Sequence, residues 1–344
     1  MGFEKFIHAF IWFATICTVL IFFFHPVQAE DAKTTSDTEK SAWSVKAGVG
    51  VLSGHTTYQI GGQVNTSSSS WVTRFPLSEL RFTFDEVPYG FIQGKYENPR
   101  KFSIESTLKI NTKRGSGKLF DSDWGIFYDK GIPGAWESSL DVYSTSDTEV
   151  DFIFSESEIS FPVHRRQRFL IMLGFGFTYK SFSFSAFNLH QTYPSCSNYG
   201  ICALYPDIRI TEKVLTYDIQ YYIPKITATL QHDHFAIWKS KLHLGVAPII
   251  FIHDVDDHIL RSKRNTGNSQ GQAYNVDLET SLFFSRNVIL NLQLQYSYYN
   301  TRGVQRQVYY KTTAEASKGT WAEIENKIFS SQLEFILAMQ FLFH

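Results

Sequence analysis

The chain has 344 residues, of which 43% are hydrophobic, 19% are charged and 16% are aromatic. This composition excludes disorder as the dominant state, because the chain has enough apolar surface to form a core. The net charge of −1 gives no positive field to hold nucleic acid or an anionic membrane surface, so no nucleic-acid partner is expected. Beyond the N-terminal segment, no uninterrupted apolar run reaches the roughly 18 residues of a spanning helix, which excludes a helical membrane bundle.

The N-terminal segment has the pattern of a secretory signal peptide. An apolar run from Phe6 to Phe24 follows Lys5, and His25-Pro26 end it just before the small-residue cleavage pattern Val27-Gln28-Ala29. The alternative is an uncleaved anchor, because the run is long enough to span a membrane. The proline and the cleavage pattern favour removal. We therefore predict a signal peptide over residues 1–29, a polar structureless segment over 30–42 and a β-barrel over 43–344.

The rest of the sequence alternates with the period of two that is typical of β-strands. In Val288–Tyr298, Leu and Tyr at even positions alternate with Asn, Gln and Ser at odd positions. The last segment, Phe335–Phe343, alternates less cleanly, and the chain ends inside it, as suits a closed barrel. We predict about ten strands, near residues 44–60, 76–97, 102–112, 148–162, 168–190, 213–235, 240–252, 273–284, 287–299 and 328–344.

The predicted connections alternate between short and long. An even number of strands joined by short periplasmic turns and long outer loops is typical of single-chain outer-membrane barrels. A soluble β-sandwich is the alternative, but its strands average about 5–6 residues and several predicted here are longer. We therefore predict an all-β fold, a transmembrane antiparallel barrel of the Gram-negative outer membrane with long extracellular loops. Those loops are expected near residues 61–75, 113–147, 191–212, 253–272 and 300–327.

Two acidic motifs fall in predicted outer loops, Asp121-Ser122-Asp123-Trp124 and Asp254-Val255-Asp256-Asp257-His258. Residues i and i+2 of an extended chain share a face, so Asp121 should converge with Asp123, and Asp256 with His258. A carboxylate beside an imidazole can orient a general base that activates water. Two close carboxylates can share a proton, and the protonated one can donate to a developing oxyanion. The motifs favour a hydrolytic site, with solvated loop charge or Ca²⁺ binding as alternatives.

The strand before the second motif needs an irregularity to bring that motif inward. The apolar side chains at even positions from Leu242 to Ile252 are interpreted as lipid-facing, and Asp256 and His258 share their parity. A β-bulge must therefore intervene, or the motif must leave the strand before it turns inward.

Three further groups are weaker candidates. His232-Asp233-His234 places two imidazoles on one strand face, but no third ligand is near in sequence and no metal site is predicted. The cluster of Arg261, Lys263 and Arg264 is interpreted as a solvated loop face. Cys196 and Cys202 share a loop of an exported chain, where we expect a short disulfide.

At these residues the chain resembles the omptin family, the ten-stranded outer-membrane endoproteases of Gram-negative bacteria. Leu52-Ser53-Gly54-His55-Thr56 looks like the family's L-S-G-K-T. Asp121–Trp124 looks like its D-x-D-W, and Pro133-Gly134-Ala135-Trp136 like the P-G-T-W that follows. Asp254–His258 looks like its D-N-D-E-H. Each motif is short, but their order and positions together are specific.

The resemblance implies an aspartyl endopeptidase that hydrolyses peptide bonds at the extracellular rim. It implies that Asp256 and His258 form the dyad that activates water. Asp121 and Asp123 would be the opposing pair that positions the water and stabilises the tetrahedral intermediate. Neither a metal nor a covalent intermediate is implied, and no resident cofactor is expected.

The resemblance also implies an acidic cleft that binds basic side chains, with substrate-binding positions at Tyr58, Glu137 and Asp254. Tyr58 stands where the family has an acidic residue. Ser138, beside Glu137, stands where the family has another, so a preference for paired basic residues does not carry over. Asp254 is retained.

Lipid and assembly partners are implied by the resemblance alone. Omptins depend on lipopolysaccharide, held partly by a Y-x-E-x-R pattern that Phe177–Ser181 does not reproduce. Lipopolysaccharide is still expected as an activating lipid, with outer-membrane lipid and a peptide or protein substrate as partners. The barrel-assembly machinery expects a C-terminal aromatic residue, which here is Phe343, followed by His344.

The alternative function is a non-catalytic outer-membrane barrel, either an adhesin or a small-solute pore with acidic loops. A pore or adhesin has no physical need to combine all four candidate catalytic residues. About ten strands also leave little open lumen compared with the roughly 16–18 strands of porins.

Overall fold

The computed structural model describes residues 42–65, 71–98, 100–128, 136–199, 202–235, 237–314 and 316–343. The predicted signal peptide lies outside the described residues, as does the polar segment except for Ala42, which belongs to the first strand. Within the described ranges, no helix is long and apolar enough to cross a membrane.

The described residues form twelve β-strands and two short 3-10 helices, Pro194–Tyr199 and Cys202–Leu204. The strands are β1 (Ala42–Asn65), β2 (Trp71–Asn98), β3 (Phe102–Asn111), β4 (Gly115–Tyr128), β5 (Trp136–Arg166), β6 (Phe169–Thr192), β7 (Ile208–Ile210), β8 (Leu215–Phe235), β9 (Trp238–His258), β10 (Lys263–Phe283), β11 (Val288–Tyr309) and β12 (Trp321–Phe343).

The strands close into an antiparallel barrel with ten positions around the ring. β1 pairs with β2 on one side and with β12 on the other, which closes the sheet. β3 and β4 share one position, because each pairs with both β2 and β5. β7 is a short addition beside β6. The predicted all-β transmembrane barrel is confirmed, and its predicted count of about ten strands corresponds to the ten positions.

The strands are much longer than the sequence predicts. β4 covers Gly115–Tyr128, β9 continues to His258 and β11 continues to Tyr309. The prediction of long loops at 61–75, 113–147, 253–272 and 300–327 was therefore wrong over most of their length. Neighbouring strands supply ladder hydrogen bonds to these polar segments. Sequence cannot show this, because clean apolar alternation is imposed only where one face meets lipid or a core.

A belt of exposed apolar side chains surrounds the outer wall. On β6 it includes Phe175 and Phe177, and on β12 it includes Met339 and Phe341. Such a belt faces the hydrocarbon in transmembrane barrels. On β9 the belt ends at Phe251, so the acidic motif that begins three residues later lies beyond the membrane-facing part of the strand.

The interior toward the short turns is polar and charged. The Lys109 ammonium lies 2.8 Å from Glu334 and 3.1 Å from Glu156. The Tyr89 hydroxyl donates to Glu334 at 2.7 Å, and Lys180 lies 3.5 Å from the same carboxylate. A polar cavity of about 70 Å³ is lined by Lys109, Glu156 and neighbouring polar residues. Buried charges here neutralise one another, as charges removed from water must.

A layer of aromatic side chains fills the lumen between this charged network and the acidic motifs. Phe82 stacks on Tyr217 with ring centroids 4.9 Å apart, and Phe152 stacks on Phe154 at 4.4 Å. The Lys180 ammonium lies 4.5 Å from the centroid of Phe154, which joins the layer to the network. The lumen at this level is therefore packed, as small barrels allow and a solute pore does not.

Candidate active site

A β-bulge on β9 turns the second acidic motif inward. Below the bulge Ala247 is buried and Val246 is exposed, whereas above it Ile250 is buried and Phe251 is exposed. Between Val246 and Phe251, β9 has one residue more than the paired segments of β8 and β10. The pairing of β9 with each of these strands therefore shifts by one residue there. The required bulge is present, at Pro248-Ile249, where proline supplies no ladder donor. The interpretation of Ile250 and Ile252 as lipid-facing was wrong, since both side chains are buried.

Asp256 and His258 form a hydrogen-bonded pair at the end of β9. The His258 Nε2–H donates to Asp256 Oδ2 at 2.7 Å, and Asn265 Nδ2 donates to the same oxygen at 2.9 Å. Asp256 has no exposed surface, whereas the His258 side chain is 17% exposed. The buried carboxylate thus fixes the imidazole, and Nδ1 is the ring nitrogen left to act on a water.

Asp121 and Asp123 lie on β4, not in the predicted loop, and their positions pair with Leu80 and Ser78 of β2. Burial, and then the neighbouring Asp123 carboxylate, raise the pKa of Asp121 to about 7. Two carboxylates in one partly desolvated site favour holding a single proton between them. Near neutral pH this pair can therefore supply a proton donor.

The Asp121–Asp123 pair and the Asp256–His258 pair face one another across the top of the barrel. β4 and β9 are four positions apart around one side of the ring and six around the other. The charge on His258 lowers the pKa of Asp121, and the charge on Asp256 raises it. Arg261, three residues after His258, lies 3.8 Å from Asp123, so the end of β9 and the acidic pair of β4 meet in one cleft.

Asp254 and Tyr58 lie at the floor of this cleft. Asp254 has no exposed surface, and neither carboxylate oxygen has a hydrogen-bond partner among the described residues. Burial and the charge of Asp256 raise the pKa of Asp254 to about 7. A Cβ on Gly267 would lie 2.4 Å from Asp254 Oδ1, so glycine leaves the room that this carboxylate occupies. The floor therefore offers a desolvated acid with open acceptor sites.

Tyr58 contributes a phenol at the position where the resemblance implies an acid. Its side chain is 2% exposed, and its ring centroid is 5.8 Å from that of Tyr217. Burial and the charges of Asp254 and Asp256 raise the pKa of the Tyr58 phenol well above its usual value. The Tyr58 hydroxyl therefore stays protonated beside the buried carboxylates.

Some of the residues predicted from the sequence lie in or beside segments that the structure does not describe. Glu137 lies on β5 opposite Phe127, but its side chain lies outside the described residues, as does Ser138. The Pro133-Gly134-Ala135 segment also lies outside them. Cys196 is disulfide-bonded, and its pairing with Cys202 stays a prediction because the Cys202 side chain lies outside the described residues.

The basic cluster after β9 is solvated at two of its three residues, because Arg261 is 42% exposed and Arg264 is 59% exposed. Arg261 lies 3.8 Å from Asp123, and Arg264 pairs with Asp257 at 2.7 Å. Lys263 is only 8% exposed. These positions depend on the β9–β10 hairpin, which has a short turn where the sequence predicted a long loop.

Polar groups elsewhere add little to the site. His232 and His234 have Nδ1 atoms 3.1 Å apart near the other end of the barrel. Lys180, in the stretch compared with the lipopolysaccharide pattern, is buried inside the barrel. Within the described ranges, no group of three or more His, Cys, Asp or Glu side chains is arranged to hold a metal ion.

Sequence reasoning missed Asn265 and Gly267, and it did not give Arg261 a role in the site. Asn265 and Gly267 face Asp256 and Asp254 across the β9–β10 ladder. Only the register of that hairpin could have identified them, and the sequence carried no turn signal that fixed it.

A closed antiparallel barrel with an apolar belt and an acid-lined cleft above it is a transmembrane barrel of the bacterial outer membrane. The family model of the omptins matches residues 39–340. The chain therefore belongs to the omptin family, a family of outer-membrane proteases of Gram-negative bacteria. Its substrates are accordingly peptides or proteins.

A solved structure agrees on the fold. The outer-membrane protease OmpT from Escherichia coli is similar over 90% of this chain and 100% of its own, with a TM-score of 0.68 and 15% identity. The match to the outer-membrane protein OprG from Pseudomonas aeruginosa covers 88% of this chain and 96% of OprG, with 9% identity and a TM-score of 0.35. No curated protein matches the sequence.

Proposed function

We propose that this omptin is an aspartic-type endopeptidase whose active site is the cleft between Asp121–Asp123 and Asp256–His258, open to the cell exterior. The contact that carries the proposal is the 2.7 Å hydrogen bond between His258 and the fully buried Asp256. A buried acid that orients an imidazole, opposite a second pair of acids, is an arrangement suited to activating water.

In the proposed reaction, His258 Nδ1 takes a proton from a water held between the two pairs. The resulting hydroxide attacks the carbonyl carbon of the scissile peptide bond. Asp256 accepts the hydrogen bond from the imidazole, orients the ring and stabilises the imidazolium. When the tetrahedral intermediate collapses, the imidazolium returns the proton to the leaving amine, which closes the proton balance.

The Asp121–Asp123 pair acts on the other side of the water. The ionised member accepts a hydrogen bond from the water and positions it. The protonated member donates to the oxygen that becomes negative in the intermediate, which is where a fixed donor lowers the barrier most. The raised pKa of Asp121 supports this role, because the pair then keeps a proton near neutral pH.

Asp254 is the proposed recognition group for a cationic substrate side chain. Its buried oxygens lack partners among the described residues, and a lysine or arginine side chain would supply donors to them. Tyr58 narrows the same floor with an aromatic ring and a hydroxyl. A single buried acid at the floor favours one basic side chain, while Glu137 stays a predicted contact farther along the cleft.

The proposal requires no metal or cofactor, and its lipid requirement comes from the family resemblance. Lipopolysaccharide therefore belongs in the first assay as the expected activating lipid. Insertion by the barrel-assembly machinery is likewise a proposal, consistent with the aromatic Phe343 at the end of β12.

The first experiment is cleavage of a mixed peptide library by the refolded barrel, with lipopolysaccharide and both with and without EDTA, beside the Asp121→Ala, His258→Ala double variant. We expect cleavage by the parent and none by the double variant, because the water loses both its base and its positioning acid. Equal cleavage by both proteins would contradict the proposed site. Silence of the parent would support the non-catalytic barrel, and loss of cleavage only when EDTA is added would indicate a metal.

A second prediction concerns the selectivity for basic side chains. Asp254 is protonated below its pKa of about 7 and ionised above it. The ratio of kcat/KM for a lysine peptide to that for its leucine counterpart should therefore rise about tenfold from about pH 6 to about pH 8. Taking the ratio at each pH cancels the effect of pH on the chemical step.

The matched control is Asp254→Asn, which keeps the shape of the side chain but cannot ionise. Its selectivity ratio should be low and should not change with pH. A parent ratio that stays constant over the same range would refute Asp254 as the recognition group.

A further inference from the structure

The turn between β9 and β10 holds a cation over the cleft. Its backbone closes through Arg261 N–H donating to the His258 carbonyl at 3.1 Å. Ile259 N–H donates to the Val214 carbonyl at 3.1 Å, and Tyr310 N–H donates to the Ser262 carbonyl at 3.0 Å. The turn is therefore anchored to the chain on both sides, and the base of the Arg261 side chain is fixed.

From this turn Arg261 reaches the opposite wall of the cleft. Its guanidinium lies 3.8 Å from the Asp123 carboxylate, and the two side chains are 42% and 27% exposed. The second arginine of the hairpin, Arg264, does not reach the opposite wall. It pairs with Asp257 of the neighbouring strand β9 through Nε and Nη2. Asp257 and Arg264 have the opposite parity from Asp256 and Asn265, so this second pair lies on the outer wall.

We propose that Arg261 is a positioning residue for the Asp121–Asp123 pair, which its guanidinium holds toward the Asp256–His258 dyad across the cleft. The inference rests on the proposed function, because it assigns a role relative to that dyad. β4 supplies Asp121 and Asp123, and β9 supplies Asp256 and His258. These two strands are not hydrogen-bonded to each other in the sheet. A cation that spans the gap fixes the distance between the halves, and small displacements of this kind cost large factors in rate.

The charged groups that act on Asp121 define the expected effect on pH dependence. Asp123 and Asp256 raise the pKa of Asp121, whereas His258 and Arg261 lower it. On the adjacent strands, Asp121 is opposite Leu80 of β2 and Ser144 of β5, which carry no charge. Removing the Arg261 cation should therefore raise the pKa of Asp121, because the ionised carboxylate loses a favourable partner.

The test compares the parent with Arg261→Ala, Arg261→Lys and Arg264→Ala over a range of pH. The mechanism needs the proton on the Asp121–Asp123 pair, so kcat/KM of the parent should fall as pH rises through about 7. In Arg261→Ala, kcat should fall about tenfold and this descending limb should move up by about one pH unit. Arg261→Lys should restore the position of the limb, and Arg264→Ala should match the parent.

A substrate-free measurement separates this inference from the proposed function. The ¹³C carboxyl signal of Asp121, assigned by its absence in Asp121→Asn, is titrated in the parent and in Arg261→Ala. If its midpoint moves up in Arg261→Ala while the parent cleaves no peptide, the proposed function fails and the coupling of Arg261 to the acidic pair stands. If the parent cleaves peptides but neither the limb nor the midpoint moves, Arg261 is not a positioning residue.

Discussion

His258→Ala should lower kcat/KM for peptide cleavage by about 10²- to 10⁴-fold, the range for loss of a general base. The substitution removes the nitrogen that takes the proton from water in the proposed reaction. The barrel should still fold, because His258 is the last residue of β9 and Asn265 keeps its hydrogen bond to Asp256. Peptide hydrolysis and heat-modified mobility in gels measure the two properties separately.

His253→Ala is the matched control for this prediction. His253 lies five residues earlier on β9, and its Nδ1 lies 3.1 Å from Asn268 Oδ1, where the pair is exposed. It should cleave at the parent rate. A His258→Ala variant that folds and retains parent activity would eliminate the proposed dyad, whereas a variant that fails to fold would show a structural role instead.

The combination of Asp256→Asn with His258→Ala should be no slower than His258→Ala alone. Asp256 acts only through the imidazole, so removing it after the imidazole has gone has no further effect on the chemistry. Additive losses in this cycle would mean that Asp256 contacts the water or substrate directly.

Glu334→Ala should destabilise the folded barrel by about 3–5 kcal/mol, the cost of removing one partner from a buried ion pair. Glu334 is 1% exposed and accepts from Lys109, Lys180 and Tyr89. Lys109 keeps Glu156 at 3.1 Å, but Lys180 loses its carboxylate partner and keeps only Gln332 and the ring contacts. Urea unfolding in lipid vesicles, followed by tryptophan fluorescence, measures the free energy of unfolding.

Glu149→Ala provides the comparison for an exposed ion pair. Glu149 is 48% exposed and pairs with Arg114 at 2.9 Å, where water already solvates both charges, so the unfolding midpoint should not change measurably. If Glu334→Ala unfolds at the same urea concentration as Glu149→Ala, the lumen network does not stabilise the barrel.

Much of the barrel followed from local sequence pattern. Alternation along Val288–Tyr298 separated two faces of one strand, and the polar Asn291, Gln295 and Ser297 are buried, as are Leu292 and Leu294 of the other face. Parity along β9 predicted a bulge, which the structure places at Pro248-Ile249. These predictions succeed because the side-chain period of a strand is a property of the backbone alone, and one face must meet lipid.

Strand lengths above the membrane could not be predicted in the same way. Asp121 and Asp254 lie on paired strands, where the sequence predicted loops. In these segments both faces tolerate polar residues, so the strand is maintained by hydrogen bonds to its neighbours and leaves little trace in its own composition.

The sequence by itself therefore determined the class of fold, the two acidic motifs and the i, i+2 contact between Asp256 and His258, because each is local along one strand. Tertiary structure alone decided that β4 and β9 face one another, that Asn265 and Gly267 stand beside the acids, and that Arg261 crosses to Asp123. Those contacts depend on hairpin register and barrel closure, which sum many weak pairings around the ring and are encoded at no single position.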